Sequence, residues 1–527
     1  MITQHLFQFR TKFVMGCIIF IIMVPILFCP LGVDQVFFLQ GGQVIAQGGK
    51  IYADYVDTKS PLMYYMFAGV YSLVGGSVWS IRGFELLWQL LTIFLLIRLV
   101  RDYLKNDTIA FSAGILYALL YPAAGYPLTL EGETLVAPLF ILLIIIQLRQ
   151  NPSKSLMVWR GVILAAIIGC KYTFGIVLGG IFILDVFSSE ISRKQVVLRY
   201  SLTLLGFVIG SMVLFSPLLD PAIASGYKDV WNFTKSYSNI PPFGPGLAEY
   251  ILKSIARYFA GRYSLLVLAT AFIGQMLLLY SARRDDVTSK RIVRLLTLCV
   301  MLLMVLLISI VIERKCIYYH FSRLYVPLTI LSGAGIGVVY YWLTQRWKNF
   351  HSARKGLVLG LFCITILFSP IMRWLKIAPL PLYYVMSKEQ YLAALISISD
   401  PEYFPLTPSA IRDYLHSSET PAKRAFVMGL HANLVSYSLQ QTPVCKINST
   451  ACYFGIGSPQ SWKDEMWKEV QQAGWLVIEN NDKGYIINGH NLTTWESVQK
   501  DSLLYSYLHD HFDSTTAIGG YYLYRRK

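Results

Sequence analysis

The feature that most constrains this chain is a series of apolar runs, each long enough to cross a membrane as a helix. Runs of about 17 to 22 residues match the thickness of a bilayer's hydrocarbon core. They recur at 13–31, 82–100, 108–126, 133–148, 200–218, 264–281, 294–312, 324–344 and 356–372. Because 55% of the 527 residues are hydrophobic and only 14% are charged, a single soluble domain is excluded. We therefore predict a polytopic α-helical membrane protein.

One further apolar stretch is too long for a single span and carries a charge. It covers residues 158–187, with Lys171 near its middle. Because a lysine is costly inside the hydrocarbon core, we interpret the stretch as two short helices with Lys171 at the turn between them. The prediction then comes to about eleven spans.

The net charge of +16 could indicate a nucleic-acid ligand, but its distribution favours a membrane topology instead. Every second loop between the apolar runs is basic, as the positive-inside rule requires of cytoplasmic loops. The basic clusters are Arg10/Lys12, Arg98/Arg101/Lys105, Arg149/Lys154/Arg160, Arg193/Lys194/Arg199, Arg283/Arg284/Lys290/Arg291/Arg294 and Arg346/Lys348/Arg354/Lys355. We therefore place the N-terminus in the cytoplasm and everything after about Trp374 outside it.

Three domains are predicted along the chain: a transmembrane catalytic domain at 1–373, a connector at 374–407 and a small extracytoplasmic α/β domain at 408–527. In the last part, the segments RAFVMG, GWLVIEN, GYIING and GYYLYRR are typical of strands. Helical patterns lie between them, at Pro408–His416, Ala432–Gln440, Ser461–Gln472 and Thr494–His511. This domain is either a scaffold or a docking cap for the acceptor. Cys445 and Cys452 could form a disulfide there or remain free.

Carboxylates gather on the outer side of this topology. Asp34 follows the first span, the segment YADYVDTKSP (52–61) contains Tyr52 and Asp57, and the loop YPLTLEGETL contains Glu131 and Glu133. A partly desolvated carboxylate at the end of a span can act as a general base on an acceptor hydroxyl or amine. A second carboxylate can position the acceptor or hold a cation. The alternative for each is an ordinary polar residue at a helix end.

Basic side chains lie on the same outer side. They are Lys59, Lys171, Lys315, His320 and Arg323. Fixed cations at membrane depth are costly unless they meet an anion, and a lipid phosphate or diphosphate is the anion available there. Such cations would bind a lipid-linked donor and stabilise the phosphate as it leaves. The alternative is that these side chains extend to the lipid headgroups.

Several short motifs resemble one family of membrane enzymes. An Asp after the first span, the segment G-x-x-Y-x-D-x-x-x-x-K-x-P at 49–61 and an Arg at the start of the next span resemble the GT-C superfamily of glycosyltransferases. More narrowly, they are similar to the glycosyltransferase family 39-like branch, which contains dolichyl-phosphate-mannose protein mannosyltransferases and aminoarabinose lipid A transferases. The segments GCKYTFG and YYHFSRLYVPLTILSGAGIG extend the resemblance along the chain.

The resemblance implies a role for each matched residue. Asp34 corresponds to the family's catalytic Asp in the first loop, and Lys59 to the lysine of its Lys-Pro-Pro motif. The acid of the second loop is either Glu133 or Glu131. Two departures stand out: Gln35 follows Asp34 where many members have a second acid, and Ser60 replaces the first Pro after Lys59. The first departure puts a metal-binding acidic pair in doubt.

We therefore expect an inverting glycosyltransferase that moves a hexose or pentose from a polyprenyl-phosphate donor to an extracytoplasmic protein, lipid or cell-surface glycan. Asp34 is the expected base, with Glu133 or Glu131 as the second catalytic acid. Substrate binding is assigned to Tyr52, Asp57, Lys59, Lys171, Lys315, His320 and Arg323. No cofactor is certain, and a divalent cation is left open. The resemblance implies a bacterial plasma (inner) membrane as the location.

Two other functions are compatible with cations at membrane depth. A transporter or flippase of lipid-linked sugars would need them, but it is expected to show pseudo-repeats with paired broken helices, and the sequence has no such repeat. A polymerase or ligase of surface polysaccharide would use an undecaprenyl diphosphate donor, without the arrangement of Asp34 and Lys59.

Overall fold

The structure is a computed structural model that describes residues 2–186, 192–240, 246–260, 265–284, 286–367, 369–398, 406–418, 424–440, 444–447, 449–483 and 489–527. The chain divides into two compact units. The helical unit comprises Met1–Cys29, Ile81–Leu214 and Ile251–Ile398. The mixed unit comprises Pro30–Ser80, Phe215–Tyr250 and Ser399–Lys527.

Helices make up most of the described chain. In chain order they are α1 (Ile2–Met23), α2 (Val33–Ala46), α3 (Pro61–Val74), α4 (Val78–Leu104), α5 (Asp107–Ala123), α6 (Gly132–Leu135), α7 (Ala137–Gln147), α8 (Lys154–Cys170), α9 (Ile176–Val186), α10 (Arg193–Leu214), α11 (Pro221–Ser238), α12 (Leu247–Ala260), α13 (Leu265–Ser281), α14 (Val287–Glu313), α15 (Tyr325–Arg346), α16 (Ser352–Leu367), α17 (Ile371–Ile377), α18 (Leu380–Met386), α19 (Lys388–Ile398), α20 (Leu406–Ser417), α21 (Ala432–Ser438), α22 (Ala451–Phe454), α23 (Gln460–Gln472), α24 (Thr494–Lys500) and α25 (Ser502–His511).

Several of these helices have the length and apolarity of membrane spans. Four described helices qualify directly: Val78–Leu104, Arg193–Leu214, Val287–Glu313 and Tyr318–Asn349. The number rises to six if each of two bent helix pairs crosses once. The structure also contains shorter apolar helices of 10 to 17 residues, among them Pro61–Val74 and Asp107–Ala123. The chain is thus a multi-pass membrane protein, and the figure of about eleven spans stays a prediction.

The predicted break at Lys171 is present. Helix α8 ends at Cys170, Lys171 has an extended backbone, and a 3-10 turn at Tyr172–Gly175 leads into α9. The segment 32–61, which follows the first predicted span and contains Asp34 and Lys59, is only partly a loop, because its first half forms α2. Helix α3 begins at Pro61, whose fixed φ suits the first helical position.

Close helix packing in the helical unit depends on glycine. A Cβ atom added to Gly161 of α8 would collide with the backbone of α10, and one on Gly206 of α10 would collide with the carbonyl of Val158. A Cβ atom on Gly335 of α15 would likewise collide with the backbone of α13. Small residues at these crossings allow the helix backbones to approach each other, as is common between membrane helices.

The mixed unit contains a four-stranded sheet in the order β1-β2-β4-β3. The strands are β1 (Ala425–Met428), β2 (Trp475–Glu479), β3 (Phe512–Ile518) and β4 (Tyr521–Arg526). Strand β1 pairs with β2 in parallel, and the other two pairings are antiparallel. One face packs on α20 and α21 through a core that includes Ile411, Leu415, Val427, Val435, Val477 and Leu523.

Three of the segments expected to be strands coincide with β1, β2 and β4. Strand β3 was not expected, because the residues DSTT after Phe512 are polar and the strand directly follows a helix. The fourth expected segment, GYIING, falls at 484–489, and residues 484–488 lie outside the described residues. Cys445 and Cys452 are both buried, and no disulfide joins them.

Candidate active site

The first cluster of predicted residues lies in the mixed unit, around the start of α2. Asp34 is in the first turn of this helix, where the helix dipole favours a negative charge. The side chain of the next residue, Gln35, accepts a hydrogen bond from the Gly32 amide at 2.8 Å and is fully buried. Gln35 therefore holds the helix start in place.

Lys59 lies against Asp34. Its ammonium is 3.0 Å from an Asp34 carboxylate oxygen and 3.8 Å from Asp57, and its side chain is 29% exposed. The same ammonium lies 5.8 and 5.7 Å from the ring centres of Phe37 and Phe38. Aromatic faces attract a cation and exclude water from around it. Asp34 thus carries a counter-ion in a partly desolvated setting.

Asp57 and Tyr52 support the backbone around Lys59. The Tyr64 hydroxyl donates to Asp57 at 2.6 Å, and the Thr58 amide donates to its other oxygen at 2.6 Å. The Tyr52 hydroxyl donates to the carbonyl of Lys59 at 2.7 Å. Tyr52 itself has a left-handed φ of 65°, which is uncommon for a bulky residue and fixes the turn before Lys59. Both residues are therefore placed to hold Lys59 in position.

A second cluster lies in the helical unit and is an ion network, which we call the ion cluster. The Lys171 ammonium lies 2.5 Å from Glu133 and 2.9 Å from Glu313. The Arg323 guanidinium lies 2.8 Å from Glu133 and 2.7 Å from Glu313. His320 Nδ1 is 3.1 Å from Glu313. Arg323 is fully buried, whereas the Lys171 side chain is 24% exposed and is the accessible cation.

The ion cluster includes most, but not all, of the residues expected there. Of the two candidate acids in the second loop it contains Glu133, while Glu131 occupies the N-cap position of α6. Lys315 follows α14, and burial lowers the pKa of its ammonium to about 8. Glu313 was missed, although an acid that ends a long apolar run beside Arg314 and Lys315 is a signal in itself.

A buried network precedes the second-loop acid and was also missed. Arg82 and Glu85 are fully buried on α4 and form an ion pair. Arg82 Nε donates to the Cys29 carbonyl at 3.1 Å. The Tyr121 hydroxyl donates to Glu85 at 2.7 Å and accepts from the Leu130 amide at 2.9 Å.

This network fixes the chain just before Glu133. Leu130 has a left-handed φ of 56°, a conformation that a branched residue keeps only where its surroundings impose it. The turn at Leu130 directs the chain into α6, which carries Glu133. Tyr121 therefore links the α4 ion pair to the backbone that presents the acid.

One set of side chains could hold a metal ion. The ligand atoms of Glu133, Glu313 and His320 lie within 4.8 Å of one another. Two carboxylates and an imidazole suit a divalent cation. Lys171 and Arg323 already pair with both carboxylates, however, so a metal would compete with two basic side chains for the same oxygens.

Comparisons with known proteins agree on one family of folds. Residues 58–219 match the family model described as dolichyl-phosphate-mannose-protein mannosyltransferase. The crystal structure of ArnT from Cupriavidus metallidurans in the apo state has a TM-score of 0.59 at 14% identity, over 99% of this chain and 98% of that chain. The same protein bound to undecaprenyl phosphate has a TM-score of 0.56 at 12% identity, over 98% of both chains. No curated protein matches the chain by sequence.

Proposed function

We propose that this chain, a member of the GT-C superfamily by its family match and its fold, is a membrane-embedded glycosyltransferase. Its donor is a sugar linked to a polyprenyl phosphate, and its acceptor lies outside the cytoplasm. The matched family segment contains Lys59, Glu131 and Glu133. A solved structure of the same fold holds undecaprenyl phosphate, which supports a donor of that class. We place the enzyme in a bacterial plasma membrane.

The observation that carries the proposal is the ion pair between Lys59 and Asp34 at 3.0 Å. It brings together the two groups that sugar transfer from a phosphate requires. Asp34 accepts the proton of the acceptor hydroxyl or amine as that atom attacks the anomeric carbon. The bond between the anomeric carbon and the phosphate oxygen breaks, and Lys59 stabilises the negative charge on the departing polyprenyl phosphate. Attack opposite the leaving phosphate inverts the anomeric centre.

The ion pair also suggests an order of events. When the donor phosphate binds Lys59, it replaces Asp34 as the partner of the ammonium. The Asp34 carboxylate is then free to accept a hydrogen bond from the acceptor. Asp57 and Tyr52 hold Lys59 through the contacts around its backbone. Donor binding thus prepares the base.

We assign a second anion-binding role to the ion cluster. Its accessible cation, Lys171, is flanked by two carboxylates that hold it in place, and Arg323 balances their charge. His320 and Lys315 lie on the adjoining segment of the chain. A phosphate oxygen could replace one carboxylate at Lys171 without leaving a buried charge unpaired, because Arg323 pairs with both acids.

Purified protein in detergent provides the test. The protein is incubated with a panel of polyprenyl-phosphate sugars labelled in the sugar and with an envelope extract as acceptor. We expect label in a new covalent product together with an equal amount of free polyprenyl phosphate. If the label instead stays on the lipid and only crosses the bilayer of reconstituted vesicles, the protein is a flippase and the proposal fails.

A further inference from the structure

The C-terminal segment touches the first-loop cluster directly. Its residues 399–527 belong to the same compact unit as residues 30–80. The Asn433 side-chain amide, at the start of α21, donates a hydrogen bond of 2.5 Å to the carbonyl of Val33. Val33 is the residue before Asp34, in the first turn of α2. A residue 400 positions away along the chain thus holds the backbone at the proposed base.

Asn433 sits on a rigid support. The backbone amide of His431 donates to Glu479 at 3.0 Å, and its Nδ1 lies 2.7 Å from the same carboxylate. The Leu430 amide donates to Asp482 at 2.9 Å. These bonds tie the start of α21 to the end of β2 and the chain that follows it. Asn433 therefore connects the sheet to the start of α2.

Asn433 is a polar residue at a fully buried position, which is unusual for a residue that only packs the structure. Its side chain is fully buried, and its Oδ1 atom has no hydrogen-bond partner among the described residues. A buried polar atom without a partner is costly, and such atoms in native proteins call for an explanation. An apolar side chain would fill the position without that cost. We therefore attribute the presence of Asn433 to the hydrogen bond that its amide donates to the Val33 carbonyl.

We propose that Asn433 is a positioning residue for Asp34, and that the C-terminal segment is therefore part of the active site. This inference rests on the proposed function. Asn433 and Gln35 together fix the first turn of α2, one from each side: Gln35 bonds the Gly32 amide, and Asn433 bonds the Val33 carbonyl. The Asp34 side chain extends from the turn that these two amides hold.

The same helix supplies a matched control. The Tyr437 hydroxyl, also on α21, donates to a backbone carbonyl of the 30–80 segment, that of Gly76, at 2.9 Å. Gly76 lies at the far end of that segment from Asp34 in sequence, after α3. Tyr437→Phe removes one docking bond of the same kind and leaves the contact with Val33 intact.

The test compares Asn433→Ala, Asn433→Asp and Tyr437→Phe in the full chain. We expect both Asn433 variants to lower turnover at saturating donor by about tenfold or more, because a small misplacement of a reacting group has an effect of that size. Donor affinity should stay within about twofold, and Tyr437→Phe should stay within about twofold in both quantities. Equal losses in all three variants, or unchanged turnover in the Asn433 variants, would overturn the inference.

A second readout does not depend on activity. Hydrogen exchange in a peptide from the start of α2 should be faster in Asn433→Ala than in the unmodified chain and in Tyr437→Phe. If the unmodified protein transfers no sugar, the proposed function fails, while this exchange pattern still decides whether Asn433 holds the Asp34 turn. Identical exchange in all three proteins would refute the positioning role.

Discussion

The Lys59 ammonium lies 3.0 Å from the Asp34 carboxylate, between two aromatic rings and a second carboxylate. The pair brings together Asp34, the proposed base, and Lys59, the residue proposed to bind the donor phosphate, before either substrate is bound. Neither residue is deeply buried: their side chains are 22% and 29% exposed. Both are therefore accessible to ligands, and a donor phosphate that replaces Asp34 at Lys59 leaves the Asp34 carboxylate available to the acceptor.

Lys59→Ala should weaken donor binding more than acceptor binding, because only the donor carries the phosphate. A charge-assisted contact of this kind contributes on the order of 1.5 to 3 kcal/mol, which is about ten- to a hundredfold in donor affinity. Titration with a polyprenyl phosphate measures it. Lys50→Ala is the control, since Lys50 is a half-exposed lysine of the same segment that pairs with Asp220. Equal effects on donor and acceptor would argue against a phosphate at Lys59.

Tyr121→Phe should reduce turnover without unfolding the protein. The change keeps the ring and removes the hydroxyl that joins Glu85 to the Leu130 amide, so the turn that leads to Glu133 loses its anchor. We expect a fall in turnover of about tenfold, with donor affinity less affected.

Tyr117→Phe is the matched control for Tyr121→Phe. Tyr117 lies one turn earlier on α5, is equally buried, and donates to Gln89 of α4 at 2.9 Å. Within the described part of the chain, its hydroxyl makes no hydrogen bond to the loop that carries Glu133. Similar turnover in the two variants, measured at equal thermal stability, would mean that Tyr121 only packs the helices together.

Donor binding should weaken as the pH rises from 7 to 9. Burial lowers the pKa of Lys315 to about 8, and a lysine is charged below its pKa, so about one tenth of the ammonium remains at pH 9. A sugar phosphodiester does not titrate in this range. In Lys315→Arg the charge is retained, and the donor titration curves at the two pH values should coincide. A pH dependence that persists in Lys315→Arg would exclude Lys315 as its source.

Chelation should leave sugar transfer intact. The two carboxylates of the ion cluster, Glu133 and Glu313, are each paired with Lys171 and Arg323, so their charge is balanced without a metal ion. The measurement is the transfer rate after dialysis against EDTA. The contrary result is loss of transfer that manganese or magnesium restores in the unmodified chain but not in His320→Ala, which would place a cation at His320.

The parts of the structure that sequence predicts are those with a local physical signature. A lysine in the middle of an apolar run is costly in hydrocarbon, so the break at Lys171 follows from composition alone. The segments around Val427, Val477 and Leu523 are short apolar runs bounded by polar turns, and all three lie in the sheet. Strand β3 lacks such a run, and nothing in its residues distinguishes it from a loop.

The contacts that build the site have no local signature. Asn433 bonds Val33, and Arg323 bonds Glu133, across 400 and 190 residues of intervening chain. From sequence alone, a buried asparagine cannot be distinguished from a helix-capping residue. A glutamate at the end of a helix, such as Glu313, likewise cannot be distinguished from one that contacts lipid headgroups. The candidate acids and cations are therefore predictable as a set, whereas their pairing depends on the tertiary fold.

The most direct test of the account is the rate of sugar transfer by Asp34→Asn in purified protein. Asp54→Asn is the matched control, because Asp54 is an acid of the same segment whose carboxylate accepts from the Lys50 amide at 2.7 Å and has no proposed part in the chemistry. We predict that Asp34→Asn binds donor and melts at the temperature of the unmodified protein but transfers no sugar, while Asp54→Asn retains most of its rate. Retained transfer of a labelled polyprenyl-phosphate sugar by Asp34→Asn would contradict the assignment of Asp34 as the base.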